Sequence, residues 1–203
     1  MKSETTNLSR AVTAGIFLGL FCLMSLLSGC AGQDMRYYRD ENVEIELLQR
    51  IAVLPFANHT KTKLVENRFT NIVTTEILSR GTFEVANPGD VLAFLREEVN
   101  GDVSAVDAKV ARKLGRALEV GAYLTGAVEL YDEERNGTYT YPVIAVTMQL
   151  IDIRSGRIIW QAAGSDTGYD TWSRIFGLAS SDFNQVSFRL ARELLDTMDY
   201  QEN

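Results

Sequence analysis

Seventeen residues near the start of the chain, Ala11 to Leu27, are almost wholly apolar, and the run ends at Leu27-Ser28-Gly29-Cys30. No other stretch constrains the fold as much. A largely polar segment carrying Lys2 and Arg10 precedes it, and small residues lead into the cysteine. A charged lead, a short apolar run and a small-residue cut site are the parts of a secretory signal. A spanning helix needs about 20 apolar residues with charged flanks. This run is a little short for that, and Ser28-Gly29 closes it without a basic stop. Residues 1–29 therefore read as a leader, against the alternative of an uncleaved anchor helix. Residues 30–203 are what must fold, a length typical of one domain.

The four residues Leu27-Ser28-Gly29-Cys30 resemble the lipobox of bacterial lipoproteins. The resemblance implies cleavage before Cys30 and acylation of its sulfur. A single acyl chain binds a membrane only marginally, so a stable tether takes at least two chains or a second signal. Lipoproteins of this kind carry three. Ala31 is not the Asp that retains such proteins at the inner membrane, which implies the periplasmic face of the outer membrane.

The other cysteine, Cys22, lies in the leader, so a cleaved chain holds Cys30 alone and can form no internal disulfide. Stability must come from a packed core. The whole chain carries a net charge of −7, and the leader (Lys2, Arg10, Glu4) is itself positive, so the body is more acidic still. An acidic body repels nucleic acid and anionic headgroups. It suits a cationic partner, or simply solubility.

Residues 30–43 read as a polar, lipidated tether, and 44–203 as the domain. The burst Ile51 to Phe56 reads as a buried strand that Pro55 ends. Val65, Phe69, Ile72, Val73 and Ile77 mark one face of a helix stopped by Gly81. Thr82 to Ala86 reads as a short strand. Asp90 is the expected N-cap of a second helix with Val91, Leu92, Leu95 and Val99 inward, and Asp107 opens a third. From Gly121 the period becomes two. Leu124, Val128 and Leu130 share a face with Gly126, and Asp132 to Gly137 reads as a charged hairpin loop with an Asn-Gly turn. Ile144, Val146, Met148 and Leu150 alternate in the next strand, and Ile158 and Trp160 in the return strand. Gly164 to Ser181 reads as a long loop, followed by a helix from Asp182. The expected fold is α+β: one domain, with a mixed sheet that includes an antiparallel three-strand meander, covered by helices.

Chemistry is sparse. His59 is the only histidine, in a polar loop, and no Cys/His cluster suits zinc. Phosphate-binding glycine loops and a nucleophile elbow are absent. Asp132, Glu133 and Glu134 form the densest acidic run, placed where an acid is hard to desolvate. They read as a solubilising loop or a cation-guiding surface. The Gly164–Ser181 stretch is longer than most connections. Its Tyr169, Trp172, Ile175 and Phe176 must pack back on the domain or meet lipid or a neighbouring subunit. No enzyme, cofactor or metal is expected.

Three phrases together are similar to a known superfamily: Ile51-Ala52-Val53-Leu54-Pro55-Phe56-Ala57-Asn58, Ala122-Tyr123-Leu124-Thr125-Gly126-Ala127-Val128, and Val146 to Asp152 followed by Ser155-Gly156-Arg157-Ile158-Ile159-Trp160. They resemble the periplasmic domain of the curli secretion lipoprotein CsgG and its relatives. Among these are the Pel polysaccharide export lipoproteins, the LpoB-type activators of peptidoglycan synthases and the N-terminal domain of TolB. The segment Thr125 to Glu129, the hairpin, the Asp152…Ser155-Gly156…Trp160 return and the Ala163 to Gly168 run resemble the Pel-type proteins. Their likeness implies a ring of subunits under the outer membrane that assists export of a cationic polysaccharide through a β-barrel. The LpoB-type likeness implies, alternatively, a lipoprotein that docks on a peptidoglycan synthase.

Overall fold

The computed structural model describes residues 35–169 and 181–199. Seven strands form one sheet: β1 (Met35–Arg39), β2 (Arg50–Val53), β3 (Ala57–Asn58), β4 (Glu84–Val85), β5 (Ala122–Asn136), β6 (Tyr139–Asp152) and β7 (Ile158–Thr167). The helices are α1 (Val65–Arg80), α2 (Pro88–Val99), α3 (Ala108–Leu118) and α4 (Phe183–Asp199). The strand order is β1-β7-β6-β5-β2-β4, with β3 pairing β5 above β2. Pairs from β1 to β5 are antiparallel, and β2 pairs parallel with both β4 and β5. The α+β class, mixed sheet and three-strand meander are as the sequence implies.

Helices α1 and α4 cover one face of the sheet. Phe69, Ile72, Val73 and Ile77 of α1 and Val186, Leu190, Leu194 and Met198 of α4 bury against Leu124, Val146, Met148, Leu150 and Trp160. On the other face, α2 and α3 cover only one end, where Val91, Leu95, Ala111 and Leu114 meet Ala52, Leu54 and Tyr123. The helix ends follow local chemistry. Gly81 closes α1 at φ 66, a left-handed cap that a residue without Cβ adopts freely. The Asp107 carboxylate accepts from the Lys109 and Val110 amides. Asp182 and Gln185 cap α4 reciprocally, each backbone amide donating to the other's side chain.

Five sequence expectations are corrected. First, α2 begins earlier than Asp90. Asn87 is its N-cap, accepting from the Gly89 amide at 2.8 Å, with Pro88 as the first helical residue. The buried face is Val91 and Leu95, and Leu92, about 100° round the helix from Val91, lies outward at 40% exposure. Second, Met35–Arg39 is not tether. Its polar residues pair with β7 along the register Met35↔Gly164 to Arg39↔Trp160. Asp40 then locks the strand, accepting from Arg157 Nη2 at 2.6 Å. Third, Leu130 does not share a face with Val128. The register shifts between them at Glu129, so Tyr131 turns inward and Leu130 is 38% exposed. Fourth, a shift at Ile159 leaves Ile158 outside while Ile159 and Trp160 are both buried. Fifth, Asp132–Asn136 is strand rather than loop, and Gly164–Thr167 likewise belongs to β7. Only Gly137 and Thr138 turn the β5–β6 hairpin. Gly137 takes φ 66, a left-handed conformation that a residue without Cβ adopts freely.

Candidate functional site

The β5–β6 hairpin is the feature that the rest of the fold presents. Beyond Val128↔Val146, β5 and β6 continue to Asn136↔Tyr139, past the point where β1 begins. Its base is braced on the helix-covered face. The Tyr131 ring stacks on Phe183 at 4.5 Å, and Arg68 donates to its hydroxyl at 3.2 Å. The 59–64 loop reaches the same level, where Thr62 donates to the Tyr131 carbonyl at 3.2 Å. Leu64 closes that loop in the left-handed region, φ 63, with its side chain 67% exposed. Arg189 of α4 donates to Asp166 at 2.7 Å and to the Thr167 carbonyl at 2.9 Å, which ties the helix to the end of β7.

On the other face three tyrosines gather near the tip. The Tyr141 and Tyr169 rings meet edge-on at 5.1 Å, and Tyr139 lies 6.2 Å from Tyr141 and 6.0 Å from Tyr169. Such contacts each contribute about 0.5–1.5 kcal/mol beyond area burial. The Tyr141 hydroxyl donates to Glu134 Oε2 at 3.2 Å. Burial pushes the Tyr141 phenol up, and the Glu134 bond and charge push it further.

The acidic run is present but divided. Strand alternation puts Asp132 and Glu134 on one face and Glu133 on the other, all three exposed. His59 pairs with Glu129 at the bulge, 2.8 Å apart, yet the two side chains are 56% and 44% exposed. This is a solvated pair rather than a desolvated acid–base couple. Tyr169 is half-buried in the tyrosine cluster. Cys30, Trp172, Ile175 and Phe176 lie outside the described residues. The tyrosine cluster could not be read from sequence, because it joins Tyr139 and Tyr141 of β6 to Tyr169 in the segment after β7, about 30 residues away.

Between the hairpin and α2 the outer face of the sheet carries no helix among the described residues. An open groove of about 310 Å³ lies there, lined by Arg36, Glu129, Ala145, Thr147, Ala163 and Ser165. No described group of three or more His, Cys, Asp or Glu residues is placed to hold a metal ion. No described helix is long and apolar enough to cross a membrane.

A family model described as peptidoglycan-synthase activator LpoB matches residues 36–165, from β1 into β7. No curated protein sequence matches. Among solved structures, the fold is similar to the PelC dodecamer from Paraburkholderia phytofirmans, at 20% identity and a TM-score of 0.58, over 84% of this chain and 100% of that one. It is also similar to lipoprotein GNA1162 from Neisseria meningitidis, at 16% identity and a TM-score of 0.54, over 75% of this chain and 99% of that one. The LpoB C-terminal domain from Escherichia coli aligns at 17% identity and a TM-score of 0.44, over 58% of this chain and 82% of that one. At these identities the PelC and GNA1162 structures establish the fold, in agreement with the Pel-type resemblance of the sequence.

Proposed function

Because the chain belongs to the LpoB family of peptidoglycan-synthase activators, we propose that it is a non-catalytic envelope lipoprotein that works by holding a partner protein at the outer membrane. Cys30 carries the acyl anchor on the periplasmic side. The partner is a peptidoglycan synthase, and the observation that carries this reading is the family match from β1 into β7. The test is glycan polymerisation by a purified bifunctional synthase of the same organism. The acylated protein is expected to bind the synthase and raise its rate. An unchanged rate, with no complex formed, refutes the assignment.

One observation favours a second reading, an oligomeric accessory in polymer export. The fold reproduces the full length of a chain solved as a dodecamer. In that case subunits form a ring beneath a β-barrel exporter, and Asp132, Glu133 and Glu134 guide a cationic polysaccharide in a salt-dependent way. Trp172, Ile175 and Phe176, with Tyr169, would meet lipid or the next subunit. The mass of the acylated protein in detergent separates the readings: a ring supports export, and a monomer that binds the synthase supports activation.

A further inference from the structure

The tether is shorter than its sequence suggests. With β1 in the sheet from Met35, only residues 31–34 separate it from Cys30. Five extended steps span at most about 17 Å. Chain length alone therefore bounds how far Cys30 can reach from Met35. Strand direction says from which end of the sheet that reach begins. Traced from Arg39 to Met35, β1 runs toward the β5–β6 turn, because Met35 is level with Gly164 and Val146. From Val146 the hairpin continues seven residues to Tyr139. That is about 23 Å at roughly 3.3 Å per residue. Even fully extended, five steps of chain reach less far than the hairpin continues past the level of Met35.

From this geometry, and resting on the acylation of Cys30 proposed above, we propose that the tip of the β5–β6 hairpin, capped by Tyr139, Tyr141 and Tyr169, is a lipid-contacting surface that sits in the headgroup layer. The chemistry fits that depth. Tyrosine is enriched at membrane interfaces; here the Tyr141 hydroxyl turns to Glu134 and the Tyr139 hydroxyl is buried, so the tip offers lipid ring edges beside a carboxylate. Glu134 and Asp132 on the same face keep the tip out of the acyl core. The 59–64 loop adds exposed Lys61, Lys63 and Leu64 at the same end, cations for phosphate and an apolar side chain beside them. A zwitterionic bilayer matches this mixture of charges. A strongly anionic one would repel the acidic strand.

Thr138 stands at the tip, and Arg154 in the β6–β7 turn at the far end of β6. The full acylated protein, as Thr138→Cys or Arg154→Cys, is labelled with an environment-sensitive fluorophore. It is then reconstituted in vesicles of phosphatidylethanolamine and phosphatidylcholine. The label at 138 is expected to brighten and to lose most of its quenching by aqueous iodide, while the label at 154 stays fully quenched. Tyr139→Ser with Tyr141→Ser should restore quenching at 138. A second arm replaces acylation: Cys30→Ser with a histidine tag at residue 30, held on nickel-chelating lipid. If mass spectrometry shows no acylation but the nickel arm shields position 138, the anchor reading falls and the lipid contact stands. If both arms leave 138 as open as 154, or if it is equally shielded without vesicles, the lipid contact is refuted.

Discussion

Gly126 should tolerate no side chain, and the reason is specific enough to test. It lies on β5 opposite Met148, on the face that α1 covers. A Cβ built there would stand 2.3 Å from the Thr147 carbonyl oxygen and 2.5 Å from Cε1 of Phe56. Neither neighbour can yield cheaply. The Thr147 carbonyl belongs to the adjacent strand, so moving it disturbs the β5–β6 ladder. Phe56 is held at both ends: its amide donates to Thr70 Oγ1 at 3.0 Å, and its ring packs on Phe69 at 5.6 Å. Overpacking costs about 1–3 kcal/mol in general, and two immobile neighbours place Gly126→Ala at about 3 kcal/mol or above. For a chain of this size that is a fall in Tm of about 6–12 °C. The control is Gly121→Ala. Its Cβ would meet only Leu48 Cδ2, the end of a flexible side chain, at 3.2 Å. There the gain of about 0.4–1 kcal/mol from a stiffer unfolded chain offsets a small shift of Leu48. Thermal melts followed by circular dichroism compare the two. If Gly126→Ala melts with the parent protein, or no lower than Gly121→Ala, the argument from close approach is wrong.

Three further outcomes follow from packing and charge. Arg189→Ala leaves Asp166, 5% exposed, without its cation. Because Arg189 is itself 40% exposed, the loss should be about 2–3 kcal/mol in urea denaturation, below the 3–5 kcal/mol of a fully buried pair. Asp166→Asn in the same background should recover part of it. Asp40 and Asp107 are both held below the ordinary aspartate value, Asp40 by the Asn42 amide and side chain and Asp107 by the Val110 amide. A lowered folded-state pKa gives stability that is complete above the unfolded value and lost as pH falls through the folded one. Stability should therefore decline below about pH 4, and Asp107→Asn, which keeps a capping oxygen but not the charge, should flatten that decline by giving up at neutral pH the part of the stability that the ionised carboxylate supplies. Glu134→Gln should bring the Tyr141 phenol down in an ultraviolet alkaline titration, but only part of the way, since burial is the larger cause; an unchanged titration would show that the Tyr141–Glu134 contact is absent in solution.

Elements with local signals are legible in the order of residues alone. The face of α1 is written in the spacing from Val65 to Ile77, and its end in Gly81. The inward residues of β6 follow from strict alternation between Ile144 and Leu150. Asp107 and Asp182 announce their helices because a carboxylate three residues before an unpaired amide caps it wherever the helix lies. The apolar run and the Leu27-Ser28-Gly29-Cys30 pattern, on which the proposed leader and anchor rest, are contiguous as well and need no partner to be read.

Where those elements meet depends on contacts between segments far apart in the chain. Met35–Arg39 has the composition of a linker, and its strand state comes from backbone hydrogen bonds to β7, which side-chain patterns do not record. The bulges at Glu129 and Ile159 exchange inside for outside midway along a strand, because one unpaired residue moves every later side chain to the opposite face. That exchange turns Tyr131 onto Phe183 and leaves Tyr141 with Glu134 on the outer face, where Tyr169 joins them. A charged run that reads as a loop becomes the arm of a long hairpin, held there by β6 across from it. Pairing between distant segments places the tyrosine-capped tip, and no local period contains that information.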